Sequence, residues 1–229
     1  KDRAQKIGLS KDIQTQLSQL NLSAFSDHPS LMTPEIDKVV AARPKQYSAF
    51  SLGPDPRTGV FKFGFRHKKD GDTLSFGDFF DGDGSVDGEY VRQLQVGQTD
   101  EWELTSAGFG GHPFHIHVNP FHIHVNPFQI VKILNPQGKD VSEAVAPEDP
   151  VNPVLDDVQY RGMKGQFKDT LFVKQNYTYI VRSHYKKFEG DFVQHCHILD
   201  HEDQGMMETV RVCGGKFPCD SPLPASHHH

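Results

Sequence analysis

Phenylalanines at alternate positions mark the first clear strand. In Val60-Phe61-Lys62-Phe63-Gly64-Phe65-Arg66, the rings of Phe61, Phe63 and Phe65 fall on one face of an extended chain. Apolar runs of strand length continue downstream in short pieces, over 90–96, 101–104, 128–134, 170–173, 177–182 and 191–196. A Pro- and Asp-rich stretch over 136–159 reads as a long loop between two of them. Short strands at this spacing predict an all-β, Greek-key sandwich. The first 57 residues are patterned differently. Ile13, Leu17 and Leu20 recur at helical spacing behind Ser10, a residue suited to an N-cap. Thr33-Pro34-Glu35-Ile36 opens a second helix with proline in its first turn, and that helix should end before Pro44. The pattern divides the chain into a partly helical segment over 1–57, a connector or a short helical cap on the domain that follows, a β domain over 58–215 and a tail over 216–229. His227-His228-His229 in the tail reads as the remnant of a purification tag.

Composition narrows the class without changing it. Seventeen Phe with 20 Gly and 15 Pro in 229 residues fit a loop-rich β protein with an aromatic core. A net charge of −6 and a pI near 6.1 argue against nucleic acid or an anionic membrane surface as partner. No apolar run reaches the length of a membrane span. Lys1-Asp2-Arg3-Ala4 has neither an initiator Met nor a signal peptide's apolar core and reads as an internal or processed end. Asp81, Asp83, Ser85 and Asp87 resemble a calcium loop. Val86 and Arg92 stand where such a loop needs Gly and Glu, so the segment reads as a solvated turn. Asn21-Leu22-Ser23 and Asn176-Tyr177-Thr178 are sequons, meaningful only in a secreted eukaryotic protein.

The chemistry concentrates near the end of the chain, in His195-Cys196-His197-Ile198-Leu199-Asp200-His201-Glu202-Asp203-Gln204-Gly205-Met206. Two histidines, one thiolate and a weak axial thioether make a blue copper site. Cys196, His201 and Met206 supply three of these ligands, and His112 in His112-Pro113-Phe114-His115-Ile116-His117 supplies the second imidazole. Strand geometry sorts the remaining histidines, because successive side chains point to opposite faces. With Cys196 on one side, His195 and His197 share the other; His115 and His117 share a face, and His112 can face oppositely. One set, His112, Cys196, His201 and Met206, would hold one copper. The other set, His115, His117, His195 and His197, would face a separate metal cluster.

These motifs resemble the C-terminal cupredoxin domain of the multicopper oxidases, the family of laccases, bilirubin oxidase, ascorbate oxidase and cuprous oxidases. Asp100-Glu101-Trp102 and Lys168-Asp169-Thr170 fall in the order that the family has them, and the resemblance covers residues 58–215. It implies a cupredoxin-like sandwich and a copper-dependent oxidase. Single electrons from a small reducing substrate, a phenol or related donor, enter at a type 1 copper near His201. They pass through Cys196 to His195 and His197, and a trinuclear cluster reduces O2 to water. It also implies that Glu202 relays protons to that cluster, the alternative being a surface carboxylate beside a ligand. The family's cluster uses eight histidines in four His-x-His pairs, of which this chain has two. The rest is expected from N-terminal cupredoxin domains, of the same enzyme or on another chain. The family implies a secreted or periplasmic location.

Some features stay open at this level. Cys213 and Cys219 can pair with each other or with another part of the protein. Residues 114–120 recur immediately as 121–127 (FHIHVNP). The first copy follows His112-Pro113 and keeps the full ligand set, and the second is expected as an extruded loop. A single blue-copper electron carrier is the alternative function, but it has no use for His115, His117, His195 and His197.

Overall fold

The computed structural model describes residues 28–54, 59–66, 85–86, 89–90, 92–107, 110–116, 127–144, 157–186 and 188–220. The chain forms two compact units, Lys1–Ser30 and Leu31–His229, and the second carries everything described below. The expected helix behind Ser10, the calcium-like turn at 81–84, His117 and the repeat at 121–126 lie outside the described residues.

Two sheets make the body. One has the order β2 (Phe61–Arg66), β1 (Gln46–Pro54), β6 (Thr99–Ser106), β11 (Thr178–His184), β8 (Phe128–Leu134), β9 (Phe167–Lys168). The other runs β10 (Thr170–Val173), β7 (His112–Ile116), β12 (Gly190–Cys196), β13 (Met207–Cys213), β5 (Gln93–Gln95). A small hairpin pairs β3 (Ser85–Val86) with β4 (Glu89–Tyr90). Successive strands cross from sheet to sheet: β6 and β8 lie in the first while β7 between them lies in the second, and β11 and β12 divide likewise. This is a cupredoxin-like β-sandwich. Strand alternation fills its centre. On β6, Asp100, Trp102, Leu104 and Ser106 point inward, and on β12, Phe192, Gln194 and Cys196 do. Phe50, Phe65, Phe114, Phe128, Ile130, Tyr179 and Val210 complete a continuous core.

The sandwich starts earlier than the pattern foretells. β1 lies inside the segment expected to be a connector, yet it sits between β2 and β6, antiparallel to one and parallel to the other. A boundary at residue 57 would therefore cut through the first sheet. The burial of Tyr47–Ser51 is nearly continuous, so β1 never shows the period-two signal of a half-exposed strand. The strand expected over 90–96 is likewise two short pieces, β4 and β5, separated where Arg92 turns inward. The second predicted helix is present as α1 (Pro34–Ala41): the Thr33 hydroxyl accepts from the Ile36 N–H at 3.3 Å, and Pro34 occupies the first turn.

Polar groups are buried between the sheets in a connected set. Arg92 pairs with Glu208 at 3.3 Å, donates to Tyr47 O at 2.8 Å and lies over the Trp102 ring at 4.4 Å. Gln194 donates from Nε2 to Glu208, and Trp102 Nε1 donates to Tyr185 Oη at 2.8 Å. Cys213 and Cys219 are joined as a disulfide, which closes one of the open alternatives. Cys196 is the free cysteine and is buried.

Candidate metal centre

The pairing of β7 with β12 decides which side each candidate ligand takes. Cys196 stands opposite Phe114, and His195 stands opposite His115. Residues 112, 114 and 196 thus share the core face, while His115 and His195 share the outer face. Alternation alone predicts this division, and the register adds that the two outer histidines are direct neighbours.

On the core side three donors converge. Cys196 Sγ lies 3.6 Å from His112 Nδ1 and 3.7 Å from His201 Nδ1, and the two nitrogens are 3.2 Å apart. A point equidistant from all three lies about 2.0 Å from each, against roughly 2.0–2.3 Å for metal bonds to imidazole and thiolate. Donor chemistry and spacing both fit copper held by His₂Cys. His112 and Cys196 come from adjacent strands. His201 comes from α2 (Leu199–Asp203), a single turn that bulges between β12 and β13. The Cys196 N–H donates to Met206 O at 3.0 Å, and the Met206 N–H donates to His201 O at 2.8 Å, closing the loop on itself. Met206 is fully buried. At Gly205 the chain turns with φ +110°, where a side chain is strained.

Aromatic rings wall the donors. Phe50 stacks on His112 with centroids 5.1 Å apart and planes 2° from parallel; Phe63 stacks on His201 at 3.8 Å and 18°. His112 is buried, whereas His201 is half-buried and shows an edge to solvent. Burial pushes the Cys196 thiol up to about 11, with the Glu202 carboxylate adding to the rise and the Ile198 N–H opposing it. Burial lowers the pKa of His201.

On the outer side His115, His195 and His197 form a nearly equilateral group, with ring centroids 5.4, 5.5 and 5.4 Å apart. His115 Nδ1 sits 3.1 Å from Asp169 O and 2.8 Å from Thr170 Oγ1. His195 Nδ1 sits 3.0 Å from Cys196 O and 3.2 Å from Glu202 Oε2. With Nδ1 occupied on both rings, Nε2 is the nitrogen left for a metal, the usual way a protein orients an imidazole ligand. His197 lies exposed at a bend, its N–H donating to Pro113 O at 2.8 Å.

A family model described as multicopper oxidase matches residues 66–215. The chain belongs to the multicopper oxidases. Among similar proteins, the bilirubin oxidase of Albifimbria verrucaria is 28% identical over 128 residues, 56% of this chain and 18% of that protein. A multi-copper oxidase from Pediococcus acidilactici is 25% identical with a TM-score of 0.43, covering 79% of this chain and 28% of that one. The Blue Copper Oxidase from Nitrosomonas europaea is 17% identical with a TM-score of 0.44, over 81% of this chain and 47% of that one. The chain thus spans less than a third of the bilirubin oxidase and of the Pediococcus enzyme. As a multicopper oxidase it uses copper as its cofactor.

Within this multicopper oxidase, Phe50 and Phe63 behind the ligands and Thr170 beside His115 escape a motif search. Thr170 carries the only hint, a place in Lys168-Asp169-Thr170 ahead of the second motif. Phe63 reads in the sequence merely as one ring of a half-buried strand.

Proposed function

We propose that the chain is the electron-entry half of a laccase-like oxidase. One observation carries the reading. Cys196 closes a three-donor triangle on one face of β12, while its neighbour His195 joins His115 on the opposite face. A cysteine placed in this way is a ligand on one side and is bonded through the backbone to ligands on the other. Bound copper supplies one-electron redox chemistry, which lets a substrate oxidised one electron at a time be coupled to dioxygen. The residues do the rest. His112, Cys196 and His201 would hold the electron-entry metal, with buried Met206 as a fourth donor. The solvent-facing edge of His201 meets the reducing substrate, a phenol or a related donor. The peptide from Cys196 to His195 and His197 is the covalent route between the faces. Glu202, 3.2 Å from His195 Nδ1, is placed to hold and pass a proton beside the second set.

His115, His117, His195 and His197 are half of the oxygen-reducing site. The other half comes from further cupredoxin domains, of the same enzyme or on another chain. A lone electron carrier would not need the outer histidines braced by Thr170 and Glu202. The Cys213–Cys219 disulfide fits an oxidising, secreted or periplasmic setting. No helix among the described residues is long and apolar enough to cross a membrane.

Copper content and oxygen uptake test the reading together. This chain, loaded with copper and freed of excess, should hold the entry metal tightly and consume no oxygen with a phenolic donor at enzymatic rates. A full copper complement with sustained turnover would show that the oxygen site is complete without further domains.

A further inference from the structure

Three of the imidazoles around Cys196 are braced by hydrogen bonds or burial, and His201 is held differently from these three. His115 is braced by Asp169 O and Thr170 Oγ1, His195 by Cys196 O and Glu202, and buried His112 lies parallel to the Phe50 ring. Among the described residues the His201 ring has no hydrogen-bond partner outside the donor triangle. It sits on a one-turn helix at the surface, half open to solvent. Its ring has one close neighbour of another kind. Phe63 lies flat against it, with centroids 3.8 Å apart and planes within 18°.

We propose that Phe63 is a positioning residue for His201: its ring clamps one face of the imidazole, keeping Nδ1 aimed at Cys196 Sγ while the loop carrying it stays half-exposed. The proposal rests on the copper reading given above. Two further observations support it. First, the clamp stands on a rigid base. Phe63 belongs to β2, whose partner β1 carries Phe50, so one hairpin delivers the stacking ring for each of the two histidines. Phe50 and Phe65 pair in register and touch at 4.9 Å, which ties the hairpin into the core. Second, the loop is pressed against that strand. A Cβ on Gly205 would come within 3.4 Å of Phe63 O, so the backbone after His201 passes close beside β2. An imidazole that lacks a hydrogen bond to fix its second nitrogen can swing about Cβ–Cγ. A flat ring pressed on its face removes that freedom, and swinging out is the first step in losing the metal at this ligand.

The test is the rate at which copper leaves the loaded protein for excess EDTA, followed by loss of the Cys–Cu(II) charge-transfer band, in the parent, Phe63→Leu, Phe63→Tyr and Phe63→Trp. Leucine keeps an apolar side chain without a ring face; tyrosine and tryptophan keep the face. Phe63→Leu should release copper about 2- to 10-fold faster, the factor an aromatic contact of ordinary strength corresponds to. Tyrosine or tryptophan should stay within about twofold of the parent, and the band of the leucine variant alone should shift or broaden. Thermal unfolding of the metal-free variants separates a clamp from general packing, because a packing role would make release track stability instead of the ring. Equal release from Phe63→Leu and the parent overturns the clamp, as does release from Phe63→Tyr as fast as from Phe63→Leu at equal stability. A parent without the band overturns the copper reading and the clamp with it, and is seen before any variant is compared.

Discussion

Glu208→Ala should be among the most damaging single changes in this sandwich, although Glu208 touches no ligand. The Glu208 side chain is fully buried and pairs with Arg92, whose side chain is 2% exposed. Removing the carboxylate leaves a guanidinium buried against Trp102 and Tyr47 O. Breaking one partner of such a pair costs about 3–5 kcal/mol, which for a unit of this size lowers Tm by roughly 10 °C. Replacing both partners by apolar residues should undo most of that loss, since no charge is then stranded. Arg92→Met with Glu208→Leu should recover all but about 1–2 kcal/mol, because the Gln194 amide still loses its acceptor. Trp102 is the single tryptophan, is buried, and lies under the guanidinium, so its fluorescence in a urea titration of metal-free protein reports the loss directly. The reasoning fails if Glu208→Ala unfolds within about 1 kcal/mol of the parent, or if the double variant is no more stable than the single one.

Two further outcomes concern the ligands. Thr170→Val removes the hydroxyl 2.8 Å from His115 Nδ1 and leaves Asp169 O as its brace; metal affinity at the outer histidines, titrated with zinc, should fall about 10-fold, toward the low end for such supporting bonds, while the Cys–Cu(II) band stays unchanged. Copper uptake should depend on pH with a definite sign: burial raises the Cys196 thiol to about 11 and lowers His201. Near neutral pH the free site then carries the thiol proton and a neutral His201, so binding must expel one proton. Apparent Cu(II) affinity should rise about tenfold per pH unit between roughly pH 6.5 and 8, with about one proton released per copper in weakly buffered solution; flat affinity would mean the thiolate already exists in the free protein.

The sorting of the candidate ligands to two faces was legible because they lie in short motifs and strand alternation is strict. His195-Cys196-His197 and His112-Pro113-Phe114-His115 sort to two faces by parity alone, and the register of β7 with β12 respects that parity. What could not be read depends on contacts between distant segments. β1 was hidden because a strand buried nearly throughout shows no alternation. Arg92 reads only as a position within a short strand, whereas its partner Glu208 lies 116 residues away and draws it into the core. Phe63 alternates like any core ring, and nothing in its neighbourhood announces a histidine 138 positions later. Glu202 shows the middle case. Its place after His201 singled it out, but only the fold brings its carboxylate to His195.

The central claim is that Cys196, His112 and His201 together bind copper as a blue centre. Visible absorption of the copper-loaded chain tests it most directly, read beside Cys196→Ser at equal copper and with its fold checked by circular dichroism. The parent should show an intense band at roughly 600 nm from thiolate-to-copper charge transfer, and the serine variant should lose it while keeping its β signature. A colourless parent, or a band that survives the loss of the free thiol, would contradict the account.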